Sequence, residues 1–145
     1  MTLEIRRVRP AAVLPERATA GSAGMDLRAC IEAPLVLEAG EIRVIPTGIA
    51  IAAPAGTAAL IFGRSGLGIR NGVSPANAVG VIDSDYRGEI QVGLINHARE
   101  AYTIEPGERI AQLVLIPVCL PEVCEAETLG ETTRGAGGFG STGRA

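Results

Sequence analysis

Carboxylates that could activate a water molecule are concentrated in one short segment of the chain. Asp83 and Asp85 flank a serine and are followed by Tyr86, within residues 77–90, which read NAVGVIDSDYRGEI. A carboxylate held beside a substrate can act as the general base that deprotonates an attacking water. The segment is also typical of a β-hairpin with a polar tip, where aspartates often serve only the geometry of the turn. From these residues alone, a catalytic carboxylate and a turn residue both remain open interpretations.

Three other segments carry polar groups in specific patterns, and the first of them could bind phosphate. Residues 63–68, GRSGLG, combine the N–H groups of a glycine-rich turn with a hydroxyl and an arginine fork, which together could hold a triphosphate. Residues 106–113, PGERIAQL, form a turn that leads into an apolar run, and residues 134–142, RGAGGFGST, add an arginine, a hydroxyl and a lone aromatic ring. All 13 basic residues are arginine, which excludes a P-loop lysine and Schiff-base chemistry.

Three weaker patterns are interpreted as structural. Residues 138–143 spell GxGxxG, but no βαβ unit surrounds them, so a dinucleotide site is not predicted. His97 lies in a predicted turn with no Cys or Asp beside it, which favours a solvated loop residue over a metal ligand or catalytic base. The odd number of cysteines (Cys30, Cys119 and Cys124) favours a reducing compartment, and redox activity of Cys119 and Cys124 is the alternative.

The composition of the 145 residues predicts one soluble domain rich in strands. Hydrophobic residues make up 47% and aromatic residues only 3%, so the core must consist of Val, Ile, Leu and Ala, which suit pleated strands. The net charge of −3 disfavours nucleic acid as a partner. The amino terminus lacks an apolar signal region, and Pro54 and Gly56 interrupt the longest apolar stretch, so no secretory signal or membrane span is predicted. A cytoplasmic location is expected.

Short β-prone runs separated by Gly and Pro predict an all-β sandwich, jelly roll or barrel. The predicted strands cover residues 3–8, 35–37, 42–46, 48–52, 58–62, 78–82, 89–96, 102–104 and 110–118. The alternation predicts that Ile42, Val44 and Pro46 share a buried face, as do Val92 and Leu94. Residues 113–118 are apolar on both faces, which indicates a contact with another subunit. From residue 129 the chain is rich in glycine and is expected to be flexible unless a ligand orders it.

Residues 23–29, AGMDLRA, place an aspartate after a glycine at the entrance to a strand. Together with the four segments above, and in this order, they closely resemble the five motifs of the trimeric dUTP diphosphatase (dUTPase) family, from residue 23 to residue 142. The run GVIDSDYRG, followed by PGERIAQL and RGAGGFGSTG, is a specific combination. One departure is Gly63, which stands where the family usually has proline before Arg-Ser-Gly, and which should loosen that turn.

The resemblance implies a jelly-roll-like β-barrel, or β-clip, that assembles as a homotrimer. Residues 1–128 would form the barrel and residues 129–145 a flexible arm that closes over an active site. Each of three sites at the subunit interfaces would take its first, second and fourth motifs from one subunit, the third from a neighbour and the arm from another. The implied activity is Mg²⁺-dependent hydrolysis of dUTP to dUMP and pyrophosphate, which removes dUTP and supplies dUMP for dTMP synthesis.

The resemblance also implies roles in recognising the nucleoside. Asp83 would be the general base and would accept the sugar 3′-hydroxyl, while Tyr86 would occupy the place of a ribose 2′-hydroxyl. The uracil edge would pair with the main chain around Gly80, Val81 and Ile90, and Asn77 would shape the pocket.

For the phosphates, the resemblance implies contacts from arginines, hydroxyls and main-chain groups. The α- and β-phosphates would be held by Arg64, Ser65, Gly66 and Gln112, and the γ-phosphate by Arg134, Gly140 and Ser141. Phe139 would stack on the uracil. Asp26 would act on Mg²⁺ through a metal-bound water, because Mg²⁺ retains several waters and binds mainly to phosphate oxygens. Arg109 is assigned a structural role and Asp85 a role in the turn.

Two other functions are compatible with the same fold. A dCTP deaminase, or a bifunctional deaminase, would share parts of these motifs but would act on the base. A non-catalytic interaction module on the same trimer would be expected to lack Asp83 or the glycine-rich arm, and the chain has both.

Overall fold

The runs of small and β-branched residues form eleven strands and one short helix in the computed structural model, which describes residues 2–138. The elements in chain order are β1 (Glu4–Arg7), β2 (Met25–Arg28), β3 (Leu35–Leu37), β4 (Ile42–Pro46), β5 (Ile49–Ala52), β6 (Thr57–Phe62), α1 (Ser65–Asn71), β7 (Val73–Pro75), β8 (Gly80–Ile82), β9 (Gln91–Asn96), β10 (Tyr102–Ile104) and β11 (Arg109–Pro117).

Every strand pairing is antiparallel. The largest sheet has the order β2-β11-β6-β8, a second has the order β4-β9-β7, and β1-β5 and β3-β10 form two further pairs. The nine-residue strand β11 lies inside the largest sheet, with a register irregularity between Arg109 and Ala111. The architecture confirms the predicted all-β, jelly-roll-like class.

One core of aliphatic side chains lies between these sheets. Its fully buried members include Leu27, Leu37, Ile45, Leu94 and Ile110. Among the described residues, no aromatic side chain belongs to the buried core, as the composition predicted. In the same part of the chain, no helix is long and apolar enough to cross a membrane.

The predicted buried face of β4 is wrong. Ile42 and Val44 are 56% and 60% exposed, whereas Ile45 is fully buried. Ile45 lies opposite Val92 in the ladder with β9, and residues that oppose each other in a ladder share a face. Because β4 carries apolar residues on both faces, its own alternation could not determine the buried side. For β9 the prediction is confirmed, since Val92 and Leu94 are buried.

Three elements differ from the sequence reading. Residues 65–71 form α1 rather than an open glycine-rich turn. Strand β7 has no counterpart among the predicted strands. The helix ends at Gly72, whose φ of 69° is left-handed, and it buries Leu67. Residues 77–90 are not a hairpin ladder, since β8 pairs with β6 while β9 pairs with β4 and β7. The segment between them therefore connects two different sheets.

Asn96 is the polar side chain most firmly tied into the core. It is fully buried, its amide donates to the carbonyls of Leu37 (3.0 Å) and Glu100 (2.8 Å), and its oxygen accepts the Ala98 N–H at 2.9 Å. These three bonds join β9 to β3 and to the turn that follows Asn96. Removing the amide would leave buried main-chain groups without partners.

Asn96→Ala is expected to lower the free energy of unfolding by about 1–3 kcal/mol, because the freed carbonyls lose their donors. The matched control is Asn71→Ala, because Asn71 lies at the exposed end of α1. It should change the free energy of unfolding by no more than about 0.5 kcal/mol. Urea unfolding at one fixed protein concentration measures both. Equal effects of the two substitutions would contradict the assigned role of Asn96.

Candidate active site

One group of predicted site residues clusters at the β2-β11 side of the largest sheet. Asp26 on β2 accepts Arg64 Nε at 2.9 Å on one oxygen and an Arg109 terminal nitrogen at 3.1 Å on the other. A terminal nitrogen of Arg64 also donates to the carbonyl of Arg109 at 3.1 Å. Two guanidinium groups thus share one carboxylate, which leaves the cluster with a net positive charge suited to a phosphate. The structural role expected for Arg109 agrees with this contact.

Gln112 on β11 lies beside this cluster. In the ladders it is opposite Asp26 on β2 and Phe62 on β6, and its side-chain amide donates to the carbonyl of Gly63 at 3.0 Å. A Cβ at Gly24 would lie 2.7 Å from the Gln112 Oε1, so glycine at that position makes room for the amide. Gly24 is thus a site residue for which sequence reasoning gave no role, and its adjacency to the Asp26 motif was the available signal.

Ser65 and Gly66 are exposed in the first turn of α1, directly after Arg64. The first main-chain bond of the helix runs from the N–H of Gly68 to the carbonyl of Arg64 at 2.9 Å. The N–H groups of the residues before Gly68 therefore have no acceptor within the helix, and they are available to an anion. This arrangement replaces the expected glycine-rich turn but offers the same kind of donor.

A tyrosine fixes the turn that leads into β11. The Tyr102 hydroxyl donates to Glu108 Oε1 at 2.5 Å, and the Glu105 N–H donates to Glu108 Oε2 at 2.9 Å. Burial, and then the bond to Glu108, raise the pKa of Tyr102 to about 12. The protonated tyrosine thus links β10 to the turn before Arg109 through Glu108.

The second group of predicted residues lies around β8. Within the described residues, β8 has one ladder neighbour, β6, and forms the edge of the largest sheet. In an antiparallel ladder successive residues direct their N–H and C=O groups alternately toward the partner strand and away from it. One of the two neighbours Gly80 and Val81 therefore offers its main-chain groups at the open edge, while the other pairs with β6. The Val81 side chain is 61% exposed.

A cavity of about 130 Å³ lies along this edge, between β8 and β9. Its lining residues include Asn77, Gly80, Val81, Gln91 and Gly93. A cavity of about 150 Å³ can hold one benzene ring, so the space has the scale of a single heterocycle. Sequence reasoning missed Gln91, although its place as a polar residue at the start of an alternating strand was a usable signal.

The turn before β8 is strained. Ala78 has a φ of 60°, a left-handed value that costs a residue with a Cβ about 1–2 kcal/mol. The N–H of Ala78 donates to the Pro75 carbonyl at 3.1 Å, which closes the turn. The strain places Asn77 at the entrance of β8, where its amide nitrogen would be 3.7 Å from a Cβ at Gly80.

A second cavity, of about 260 Å³, continues from the first along Val81 and Ile82. Asp83 and Tyr86 line it together with Glu89 and Gln91. Asp83 is exposed, and among residues 2–138 no cationic side chain forms an ion pair with it. An exposed carboxylate without a cationic partner keeps its lone pairs available for a water or a hydroxyl.

Ile90 does not belong to this group. Its side chain is fully buried, and its N–H donates to the Ile49 carbonyl at 2.8 Å. Its carbonyl accepts both the N–H of Thr47 at 3.2 Å and the Thr47 hydroxyl at 2.6 Å. These bonds use the one donor and both lone pairs of the Ile90 main chain, so the expectation that Ile90 reads the base is wrong.

The cluster around Asp26 lines neither of the two cavities beside β8. Neither Asp26, Arg64 nor Gln112 lines the cavity that contains Asp83 and Tyr86. Of the predicted arm, Arg134 is exposed and its Nε donates to the Gly137 carbonyl at 2.9 Å, while Phe139, Gly140 and Ser141 lie outside the described residues. Within residues 2–138 of one chain, the Asp26 cluster and the cavity lined by Asp83 and Tyr86 therefore lie in different places.

No set of three His, Cys, Asp or Glu side chains among residues 2–138 could hold a metal ion by itself. Asp26 already accepts one hydrogen bond on each oxygen, and each oxygen retains a further lone pair. This carboxylate suits a water bound to Mg²⁺, and phosphate oxygens would have to supply the direct ligands.

Comparison with known proteins identifies the family of this chain. A family model described as dUTPase matches residues 11–143. The chain belongs to the dUTPase family. The family identified from the five motifs is therefore confirmed.

Two relatives and two solved structures illustrate the similarity to other dUTPase family members. The chain is 54% identical over 132 residues to a deoxyuridine 5′-triphosphate nucleotidohydrolase of Idiomarina loihiensis, covering 90% of this chain and 87% of that protein. It is 48% identical over 145 residues to the protein of the same name from Burkholderia cenocepacia, and the match covers 99% of this chain and 98% of that protein.

A structure of a mutant dUTPase from Staphylococcus bacteriophage 80alpha with dUpNHpp has a TM-score of 0.90 and 29% identity, and the match covers 99% of both chains. A mutant dUTPase from phage phi11 of S. aureus, described with a structural Mg(II) ion, has a TM-score of 0.80 and 28% identity over 88% of this chain and 98% of that one.

Proposed function

We propose that the chain hydrolyses dUTP to dUMP and pyrophosphate. The observation that carries this proposal is the exposed Asp83 carboxylate at the end of a strand whose open edge borders a cavity of nucleobase size. The names of the relatives and the dUTP analogue in a similar structure agree with this substrate. In cells the reaction would remove dUTP from the nucleotide pool and provide dUMP for dTMP synthesis.

Asp83 acts as the general base. Its carboxylate accepts a proton from a water as the water oxygen attacks the α-phosphorus in line with the leaving group. The bond from the α-phosphorus to the oxygen that bridges to the β-phosphorus breaks, and pyrophosphate leaves with the electron pair. A positioned base of this kind contributes about 10²–10⁴ to the rate.

Selection of uracil and deoxyribose depends on β8 and the segment after it. The open main-chain edge at Gly80 and Val81 pairs with the uracil edge, and Asn77 shapes the same cavity. Cytosine presents the reversed donor and acceptor pattern, which would leave buried groups unpaired. Tyr86, in the adjoining cavity, occupies the space that a ribose 2′-hydroxyl would require, and Asp83 accepts the 3′-hydroxyl.

The phosphates bind at the positively charged cluster. Arg64, Ser65, Gly66 and Gln112 contact the α- and β-phosphates, and Arg109 holds the Asp26 carboxylate in place. When bound, Mg²⁺ neutralises charge on the phosphate oxygens. Asp26 would help to hold the ion by accepting a hydrogen bond from one of its waters, as the remaining lone pairs of the carboxylate allow.

A complete site requires more than one chain. The phosphate-binding group and the Asp83 cavity are separate in a single chain, and Val114, Leu115 and Ile116 on β11 are only half-buried. We infer a homotrimer in which the site between two subunits receives the arm of another. Residues 1–128 form the barrel, and residues 129–145 form an arm that brings Arg134, Gly140 and Ser141 to the γ-phosphate and Phe139 to the uracil.

Pyrophosphate release from dUTP, dCTP, dTTP and UTP tests the substrate. We expect kcat/KM to be highest for dUTP and lower by about 10⁴ for dCTP, as for sites that read a base by buried hydrogen bonds. Comparable kcat/KM for dCTP would contradict the proposal. Release of ammonia from dCTP would indicate a deaminase instead.

Asp83→Asn is expected to lower kcat by about 10²–10⁴ with an unchanged dissociation constant for a non-hydrolysable dUTP analogue, because the substitution removes the base and keeps the shape. Single-turnover kinetics and calorimetric titration measure the two quantities. Asp85→Asn is the control and should retain most of the turnover. Near-normal turnover in Asp83→Asn would assign the base to another carboxylate.

Truncation after Thr133 is expected to leave the trimer and its melting temperature nearly unchanged, since residues 119–136 are exposed and contain no strand. Turnover should fall strongly, because an open site admits bulk water and lacks the contacts from the arm. Light scattering, thermal unfolding and pyrophosphate release give the three measurements. Dissociation of the truncated trimer would show that the arm is a structural strap instead.

A further inference from the structure

Glu89, at the end of the segment that follows β8, is held by three hydrogen bonds. Arg9 donates through Nε at 2.6 Å to one carboxylate oxygen and through a terminal nitrogen at 3.0 Å to the other. The N–H of Gly48 also donates to this carboxylate at 2.9 Å. The hydrogen bond from Arg9 is the main reason that the pKa of Glu89 lies below its ordinary value. Burial opposes this effect, and the bond from Gly48 adds to it.

The Gly48 turn makes this contact rigid. Gly48 has a φ of 73°, and a Cβ there would lie 2.6 Å from the Ala12 Cβ and 2.7 Å from the Cys30 sulphur. Its carbonyl accepts the N–H groups of Val8 at 2.7 Å and Arg9 at 3.3 Å. The two residues that donate to the Glu89 carboxylate, Arg9 and Gly48, therefore belong to one closely packed junction between the amino-terminal segment and β5.

The main chain of Glu89 in turn orients Tyr86. The Tyr86 hydroxyl donates to the Glu89 carbonyl at 3.2 Å, and its ring lies so close to Gly88 that a Cβ there would collide with the hydroxyl. The N–H of Tyr86 donates to the carbonyl of Asp83 at 3.2 Å. The position of Glu89 thus affects Tyr86 and Asp83, two of the residues that line the second cavity.

We propose that Arg9 and Glu89 are a positioning pair for sugar selection, which fixes the segment from Asp83 to Gly88 so that Tyr86 fills the space of a 2′-hydroxyl. This inference rests on the proposed function, because it assumes that Tyr86 excludes ribose. Neither side chain of the pair needs to contact the substrate. The pair acts through the carbonyl of Glu89 and the hydroxyl of Tyr86.

An exposed ion pair usually contributes little to the stability of a protein. Whether the pair of Arg9 and Glu89 can hold a loop therefore depends on its geometry. The Arg43 to Glu41 pair joins residues two positions apart, and the Glu41 carboxylate also accepts the Glu38 N–H, so these contacts stay within residues 38–43. The Arg9 to Glu89 pair joins residues 80 positions apart, uses both carboxylate oxygens, and leaves the Glu89 side chain 17% exposed. It is therefore the one of the two that can hold a distant loop.

The test uses Arg9→Gln and Glu89→Gln in the full chain, singly and together, with Arg43→Gln as the matched control. Arg9 and Arg43 side chains are similarly exposed, at 45% and 53%. The measured quantity is kcat/KM for dUTP divided by kcat/KM for UTP. Hydrogen exchange of residues 83–88 and the melting temperature are measured on the same preparations.

We expect each single substitution to lower the dUTP/UTP ratio by roughly ten- to a hundred-fold, as a misplacement of up to about 1 Å would. The double variant should lose no more than either single variant, because both remove one interaction. Exchange of residues 83–88 should increase, and Arg43→Gln should match the unsubstituted chain in both measurements.

The positioning role would be overturned if Arg9→Gln left the dUTP/UTP ratio unchanged while Tyr86→Ala lowered it. If Tyr86→Ala also leaves the ratio unchanged, the assignment of Tyr86 in the proposed function fails. In that event the proposal of a positioning pair falls with it, and the exchange of residues 83–88 shows whether the pair still holds the loop. The proposal would also be overturned if the Arg9 and Glu89 variants had a lower dUTP/UTP ratio but unchanged hydrogen exchange of residues 83–88.

Discussion

The register of β11 between β2 and β6 is the constraint on which the phosphate-binding group depends. It places Gln112 opposite both Asp26 and Phe62, so that Arg64, two residues after Phe62, reaches the same carboxylate as Arg109. A shift by one residue would turn Gln112 to the other face and bury a polar group among apolar ones. The fully buried Leu113, beside Gln112, opposes that shift because its face is fixed by the core.

In the proposed function, the base is recognised at the open edge of β8, one of the two edge strands of the largest sheet. Exposed edges favour unwanted strand pairing, and this one is only three residues long, bordered by a strained turn on one side and the Asp83 segment on the other. A short edge offers enough donors and acceptors for a nucleobase and too few for a long ladder. The same feature therefore serves recognition and limits aggregation.

The charges of the two surfaces are complementary to the two ends of a nucleoside triphosphate. At the phosphate end two arginines share one carboxylate, so a positive charge remains for the substrate. At the nucleoside end Asp83 has no cationic partner among the described residues, and the nearby Glu89 is already neutralised by Arg9. In the proposed function, this separation keeps Asp83 free to act as the base until assembly of the subunits brings the two surfaces together.

The amino-acid sequence by itself determined the β class, the aliphatic core and the family, and it supplied the predicted site residues, because motif spacing and alternation are local properties. Only the tertiary structure decided the buried face of β4, the partners of β8 and β9, and the exclusion of Ile90. Those outcomes depend on which strands meet: Ile45 is inside because it faces Val92, and Ile90 is occupied because Thr47 and Ile49 lie beside it. The clamp of Arg9 on Glu89 was invisible in the sequence for the same reason, since 80 residues separate two side chains that packing brings into contact.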